Sequence, residues 1–344
     1  MSVQDELDRF AADGLARAEG HDEDYQQLWR SLAAATRAGK RLRPALLLAA
    51  YDAYGGRDGD PVVARVAAAL ELLHTALLIH DDVIDGDLVR RGKLNVSGTF
   101  VARAADRGAS AAGRATFGLT AGVLAGDLAL VGATRELALC GADGETTRRL
   151  LDLFTEAVHV SAAGELADVA LSIGRPDVGA LADVITMEEH KTAVYSFQLP
   201  LQSGAVLAGA DDIAVERLGQ VGRLAGIGFQ LADDLQGVFG DEGRTGKSAL
   251  GDLREGKMTP LMAHARSTSA WPTIAPHLGD RTLDEERASR VRALLVECGS
   301  RDFVEQLADS YVSAALRTAE QLDLAPALLA ELSRLSERLV GSAA

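Results

Sequence analysis

The stretch Val62–Ile84 reads VVARVAAALELLHTALLIHDDVI. Val62, Val66, Ala69, Leu70, Leu73, Leu77 and Ile84 recur at near-helical spacing, so the segment is expected to form one long helix. Working outward, Thr146–Leu171, Ala180–Ala208, Ile213–Phe239, Leu283–Cys298 and Arg301–Leu322 show the same periodicity. Only 8 prolines interrupt a chain rich in alanine and leucine, and period-2 alternation is scarce, which argues against a sheet. The fold expected is all-α: a single large helical bundle occupying one domain, residues 1–344, with helices packed on helices. Breaks are expected at Tyr54–Asp60, Gly86–Asn95, Gly108–Gly113, Gly141–Gly144, Gly174–Asp177 and Gly240–Lys257. Gly122, Gly126, Gly226 and Gly228 fall inside predicted helices, where each costs up to about 1 kcal/mol relative to alanine unless close packing or a ligand requires it.

The 344 residues are 47% hydrophobic and 25% charged, the balance of a globular chain rather than a disordered or fibrous one. With 35 basic and 50 acidic residues the net charge is -15, which excludes nucleic-acid binding through the overall field but leaves room for a local basic pocket. Two cysteines, Cys140 and Cys298, cannot make a disulfide framework, so a reducing, cytoplasmic compartment is expected. The start, MSVQDELDRF, has no apolar signal region. Val66–Ile79 is interrupted by Glu71 and His74, and Phe117–Val131 is diluted by glycine and Asp127, so no membrane span is expected.

Two acidic clusters end apolar helices. Asp81-Asp82-Val83-Ile84-Asp85 places the Asp81 and Asp85 carboxylates on one helix face, where they repel unless a cation compensates. Negative charge at a helix C-terminus is also unfavourable with the dipole. Mg²⁺ is a fitting cation, because it is usually held by one or two carboxylates and substrate phosphates. The second cluster is Asp233-Asp234 in GFQLADDLQGVFGD, with Gln230 one turn before Asp234. Basic groups flank both clusters: Lys40-Arg41-Leu42-Arg43, His74 seven residues before Asp81, Arg90-Arg91, Lys247, and Arg254 and Lys257. Singly, each is most simply a solvated surface charge, and His74 a core histidine. Together they match metal-bridged carboxylates and diphosphates with cations on the remaining oxygens.

GKRLRP, ELLHTALLIHDDVID, DLVRRG, KTAVYSF, GFQLADD and TGKSALGDLREGKMT, in that order between about Gly39 and Pro260, resemble the motifs of the trans-isoprenyl diphosphate synthases, the polyprenyl synthetase family. The resemblance implies a helical isoprenoid synthase fold around a central cavity, in a homodimer. It implies Mg²⁺-dependent head-to-tail condensation of isopentenyl diphosphate with an allylic diphosphate. Carried over, Asp81 and Asp85 bind two Mg²⁺ ions and Asp233 a third. Arg90, Lys191, Lys247 and Lys257 hold the allylic diphosphate, with Thr192 and Gln230 in support. Lys40, Arg43, His74 and Arg91 hold isopentenyl diphosphate. Asp81, Asp85, Lys191, Asp233 and Lys247 form the expected catalytic set, stabilising charge on the departing diphosphate.

Three departures from the commonest family pattern stand out. Gly237 replaces a third aspartate in DDLQG, with Asp241 one turn on as a stand-in. Leu94-Asn95-Val96-Ser97 follows Gly92, beyond Lys93, where the family often has Pro-Thr-Val-His, and Glu165 takes a place often held by glutamine, with Asp168 retained. Chain length is expected to be set by Leu77, Ala76 and Leu73, which lie four, five and eight residues before Asp81, about one and two turns below the metals. No aromatic blocks that path, so geranylgeranyl diphosphate is the expected product and a longer polyprenyl diphosphate the second choice. A terpene cyclase of the same fold has no need of the Lys40/Arg43 set, and a non-catalytic subunit of a heteromeric synthase is expected to lack the aspartate clusters.

Overall fold

The computed structural model describes residues 2–37, 39–57, 59–173, 180–240, 250–322, 324, 328 and 330. Those residues are overwhelmingly helical, as the periodicity requires, and fall into two compact units, Met1–Asp152 with Val206–Ala208, and Leu153–Ala205 with Gly209–Ala344.

The first unit holds α1 (Val3–Ala18), α2 (Glu23–Thr36), α3 (Leu42–Ala53), α4 (Pro61–Asp85), α5 (Val96–Asp106) and α6 (Ala111–Ala138). Helix α4 starts on the Asp60 cap with Pro61 at its first position, where a missing N–H is harmless, and ends on Gly86 at φ 74°. It packs along α6 through small residues. A Cβ at Gly126 would stand 2.2 Å from the His80 ring, and one at Gly122 would stand 2.2 Å from Val83. These two glycines are therefore held by close packing. Ala76 and Ile79 of α4, Ala121, Ala125 and Ala129 of α6, and Trp29 and Phe100 share one buried cluster.

The one departure from an all-helical chain among the described residues is a minimal antiparallel hairpin, β1 (Val89–Arg90) and β2 (Lys93–Leu94). Its two-residue loop, Arg91-Gly92, has φ 54° and 72°. Positive φ at both positions is the type I′ arrangement, whose twist suits a tight hairpin. The gap between α4 and α5 is thus ordered where a plain break was expected.

The second unit continues α7 (Gly144–Ser172), which begins in the first. It adds α8 (Leu181–Glu188), a π-helical stretch Glu189–Gln198, α9 (Leu199–Leu207) and α10 (Asp212–Phe239). The expected helix Ala180–Ala208 is therefore continuous but wound wider in its middle. Short helices α11 (Gly251–Glu255), α12 (Pro260–Ala265) and α13 (Trp271–Ile274) precede α14 (Glu285–Glu297) and α15 (Ser300–Gln321). Leu231, Leu235, Leu253, Leu261, Val291 and Val304 form part of its core. Gly226 and Gly228 are again packing positions: a Cβ would lie 2.5 Å from Ala193 Cβ and 2.7 Å from Val312 Cγ2. The break at Gly174–Asp177 and most of that at Gly240–Lys257 lie outside the described residues.

Helices α4 and α6 are each long and apolar enough to cross a membrane by length and composition alone, a test that a buried core helix also passes. In α4, 72% of the apolar window is buried within the fold; in α6 the share is 39%, leaving Leu119, Leu124 and Val131 exposed.

Candidate active site

The C-terminal turn of α4 supplies Asp81, Asp82 and Asp85, and the hairpin returns a cation to it. Arg90 Nε donates to Asp82 Oδ1 at 2.6 Å and Arg90 Nη2 to Asp81 Oδ2 at 3.2 Å. The guanidinium partly compensates the acidic helix end. Burial raises the Asp82 carboxyl above its ordinary range, with the Arg90 bond opposing it, and Asp82 in turn raises Arg90 against the cost of burial. Asp82 was not singled out as a site residue in the sequence, yet it is the more deeply buried partner of Arg90.

One turn and more below, Leu77 is part-exposed, while Leu73 and Ala76 are fully buried. Seven residues before Asp81, His74 is held well below its usual pKa, first by burial and then by the charges of Arg43, Arg91, Arg90 and Arg41. Four of the basic residues picked from the sequence, Arg43, His74, Arg90 and Arg91, therefore share one electrostatic neighbourhood, and His74 is neutral in it. Arg43 is buried and Lys40 is exposed.

In the second unit, Lys191 and Thr192 sit in the π-helical stretch, a form that often marks functional positions. Lys191 Nζ donates to Asp168 Oδ2 at 2.6 Å and Glu165 Oε1 at 3.1 Å, both from α7. Helix α7 approaches so closely that a Cβ on Gly164 would stand 2.3 Å from the Lys191 backbone nitrogen. On α10, Gln230 Nε2 donates to Asp234 Oδ1 at 2.8 Å, and Asp233 is half-buried beside it. The other oxygen, Asp234 Oδ2, is buried, and the Asp234 carboxyl pairs with that of Glu188. Burial and the charge of Asp234 push the Glu188 carboxyl well above its range, and burial raises Asp234 as well. Glu188 had no sequence signal beyond its place in MEEHK.

Gly237 gains a structural meaning. A Cβ built there would lie 1.9 Å from Asp252 Oδ2 of α11. The space of the missing third aspartate side chain is occupied by another carboxylate. Part of Asp252's surface is exposed, but its carboxyl is enclosed, and burial pushes it to about 7 against the pull of Lys257. Lys257 Nζ itself pairs with Glu255 Oε2 at 3.1 Å. Lys247 and Asp241 lie outside the described residues.

The donor chemistry suits a hard divalent cation. In the first unit Asp81, Asp82 and Asp85 cluster at the end of α4; in the second, Asp233 and Asp234 stand together on α10. Among the described residues no three His, Cys, Asp or Glu side chains form a closed cage.

The chain matches the polyprenyl synthetase family over residues 26–295. It is 31% identical over 292 residues to the geranylgeranyl diphosphate synthase of Sulfolobus acidocaldarius, covering 83% of this chain and 82% of that one. It is 32% identical to the geranylfarnesyl diphosphate synthase of Aeropyrum pernix, covering 88% of each. Among solved structures, geranylgeranyl pyrophosphate synthase of Corynebacterium glutamicum, complexed with isoprenyl diphosphate and magnesium, superposes with a TM-score of 0.90 at 29% identity, covering 98% of this chain and 96% of that one. Helical architecture, motif order and extent of the match converge, and the chain belongs to the polyprenyl synthetase family, the trans-prenyltransferases that make polyprenyl diphosphates.

Proposed function

We propose that this prenyltransferase condenses isopentenyl diphosphate with an allylic diphosphate in the presence of Mg²⁺ and yields mainly geranylgeranyl diphosphate. The observation that carries the reading is the Asp81–Asp82–Arg90 group at the end of α4, with Arg43, Arg91 and neutral His74 below it. Asp81 and Asp85, and Asp233 on α10, would hold the metal. Bound Mg²⁺ supplies positive charge to the departing diphosphate, the electrostatic stabilisation on which ionisation of an allylic C–O bond depends.

The chain's own residues do the rest. Arg90, Lys191 and Lys257, each now bound to carboxylates, exchange those partners for phosphate oxygens. Thr192 and Gln230 support that diphosphate, while Lys40, Arg43, His74 and Arg91 hold isopentenyl diphosphate. Its double bond attacks the allylic cation and the released diphosphate takes the proton, so no side-chain nucleophile is needed. The apolar body of α4 keeps water from the cation.

Product length rests on Leu77. Ala76 packs against the α6 alanines, so the part-exposed Leu77 is the residue available to line a path for the growing tail. The chain acts as a homodimer in this reading, with the exposed apolar face of α6 against a second copy. The relatives make both geranylgeranyl and longer products, so a product assay decides. Purified protein with Mg²⁺, labelled isopentenyl diphosphate and dimethylallyl, geranyl or farnesyl diphosphate should give a C20 alcohol after dephosphorylation. A longer discrete product would overturn the length assignment. No incorporation with any primer would overturn the condensation.

A further inference from the structure

Arg41 is left-handed, at φ 55° and ψ 38°. The one other non-glycine residue with positive φ among the described residues is Arg91. Both lie in segments assigned to isopentenyl diphosphate, one between Lys40 and Arg43, the other beside Arg90. An arginine gains nothing locally from this conformation, so something outside the turn must hold it.

For Arg41 the holder is visible. Its Nη1 donates to Glu71 Oε2 at 2.7 Å, and its Nη2 to Gln4 Oε1 at 2.8 Å and to the Thr36 carbonyl at 2.9 Å. The three acceptors come from α4, α1 and α2. The planar fork therefore ties the turn to three helices at once, a task a lysine ammonium cannot copy in the same geometry. Glu71 is the anchor: it is 3% exposed, on the helix that carries His74 one turn later and Asp81 beyond it. Its Oε2 also lies 4.0 Å from where a Cβ on Gly39 would stand, and Gly39 has φ 127°, so the carboxylate borders the glycine that lets the chain enter the turn.

We propose that Glu71 is a positioning residue for the isopentenyl diphosphate site: through Arg41 it holds the Lys40–Arg43 segment in its left-handed turn and so fixes where Lys40 and Arg43 stand relative to His74. This rests on the condensation reading above. It differs from a purely electrostatic role in sign. Four arginines, Arg41, Arg43, Arg90 and Arg91, act on His74, and Glu71 is the acid bonded to one of them. Were Glu71 only damping that positive field, removing its charge would tighten binding of an anion. As the anchor of the turn, its loss loosens binding.

The test is steady-state kinetics of Glu71→Gln and Arg41→Lys, with calorimetric titration of isopentenyl diphosphate in the absence of metal. Each variant is expected to raise KM and Kd for isopentenyl diphosphate about tenfold, since small misplacements of binding groups are costly. KM for the allylic substrate and kcat should stay within about twofold, because Asp81, Asp85 and Arg90 remain in place. Gln4→Ala, which removes one acceptor in the first turn of α1, reads the same effect in smaller measure if either variant fails to fold. Unchanged or tighter isopentenyl diphosphate binding overturns the proposal, as does an equal rise in both KM values. Wild-type protein that makes no product refutes the condensation reading and the proposal with it; active wild type with unaltered variants refutes the proposal alone.

Discussion

Asp81 combines two electrostatic disadvantages. It stands at the negative end of a long helix and beside two further carboxylates. Arg90 covers part of that cost through Asp81 and Asp82. Replacing Asp81 with alanine is expected to lower kcat at least about a hundredfold, because the charge it contributes acts where the leaving group ionises. Single-turnover rates at saturating Mg²⁺ check this, and near-normal turnover would remove Asp81 from the metal assignment. At this scale the sequence was legible where residues carry charge in a local pattern: the spacing of Asp81 and Asp85, His74 two turns earlier, Arg90 just after. It was not legible where the effect depends on a partner distant in the chain. Nothing in DDLQG says that Asp252 fills the room above Gly237. Nothing in GKRLRP says that Arg41 turns left-handed, since the reason is Glu71, thirty residues on.

Among the elements, five of the long helices named from periodicity were read to within about two residues, because apolar periodicity persists over many turns and local noise averages out. The helices α4, α7, α10, α14 and α15 all stand where that periodicity put them. The periodicity gave no bounds for α1, α2, α3, α5 or the 28-residue α6, and two short features escaped altogether. The hairpin holds two residues per strand and has no alternation to detect, and its loop uses an arginine where asparagine or glycine is the usual signal. The π-helical stretch keeps helical composition, and the trace it leaves in sequence is Gly164 on the neighbouring helix. A consequence for α4 concerns product length. Leu77→Phe should shorten the main product, since Leu77 keeps part of its surface open and can accept a ring. Ala76→Phe should instead destabilise the fold, by about 1–3 kcal/mol, because Ala76 is enclosed by α6 and Trp29. Chromatography of dephosphorylated products and denaturant melts separate the two, and an unchanged product from Leu77→Phe would rule out this floor.

For the whole molecule, titration and association are the informative properties. Glu188, Asp234 and Asp252 all hold protons above the ordinary carboxylate range because they are buried. The unfolded chain has lost those protons by about pH 5. The folded chain keeps them longer, that of Asp252 to about 7, so it binds more protons and its stability falls as pH rises through that window. Without divalent cations the protein should melt higher at about pH 6.5 than at about pH 8, and Asp252→Asn should reduce the difference. Below about pH 6.5 the depressed His74 works the other way, since the unfolded imidazole takes up a proton that the folded one refuses. Association should follow α6. A Leu124→Glu change on its exposed apolar face is expected to turn a dimer into a monomer in light scattering, and a wild-type monomer would remove that role.

The seat of Lys191 has a consequence for how this chain can vary. Gly164 leaves no clearance for a methyl group against the Lys191 backbone, while Asp168, one turn along the same helix, grips the lysine's far end. The two ends of one side chain are thus gauged by a single neighbouring helix, with one hydrogen atom as the tolerance. Drift at 164 cannot be absorbed by a local rotamer change. It has to move α7 as a body, and every residue that α7 aligns moves with it. Position 164 should therefore behave in mutational libraries like a site residue, although it offers no functional group of its own.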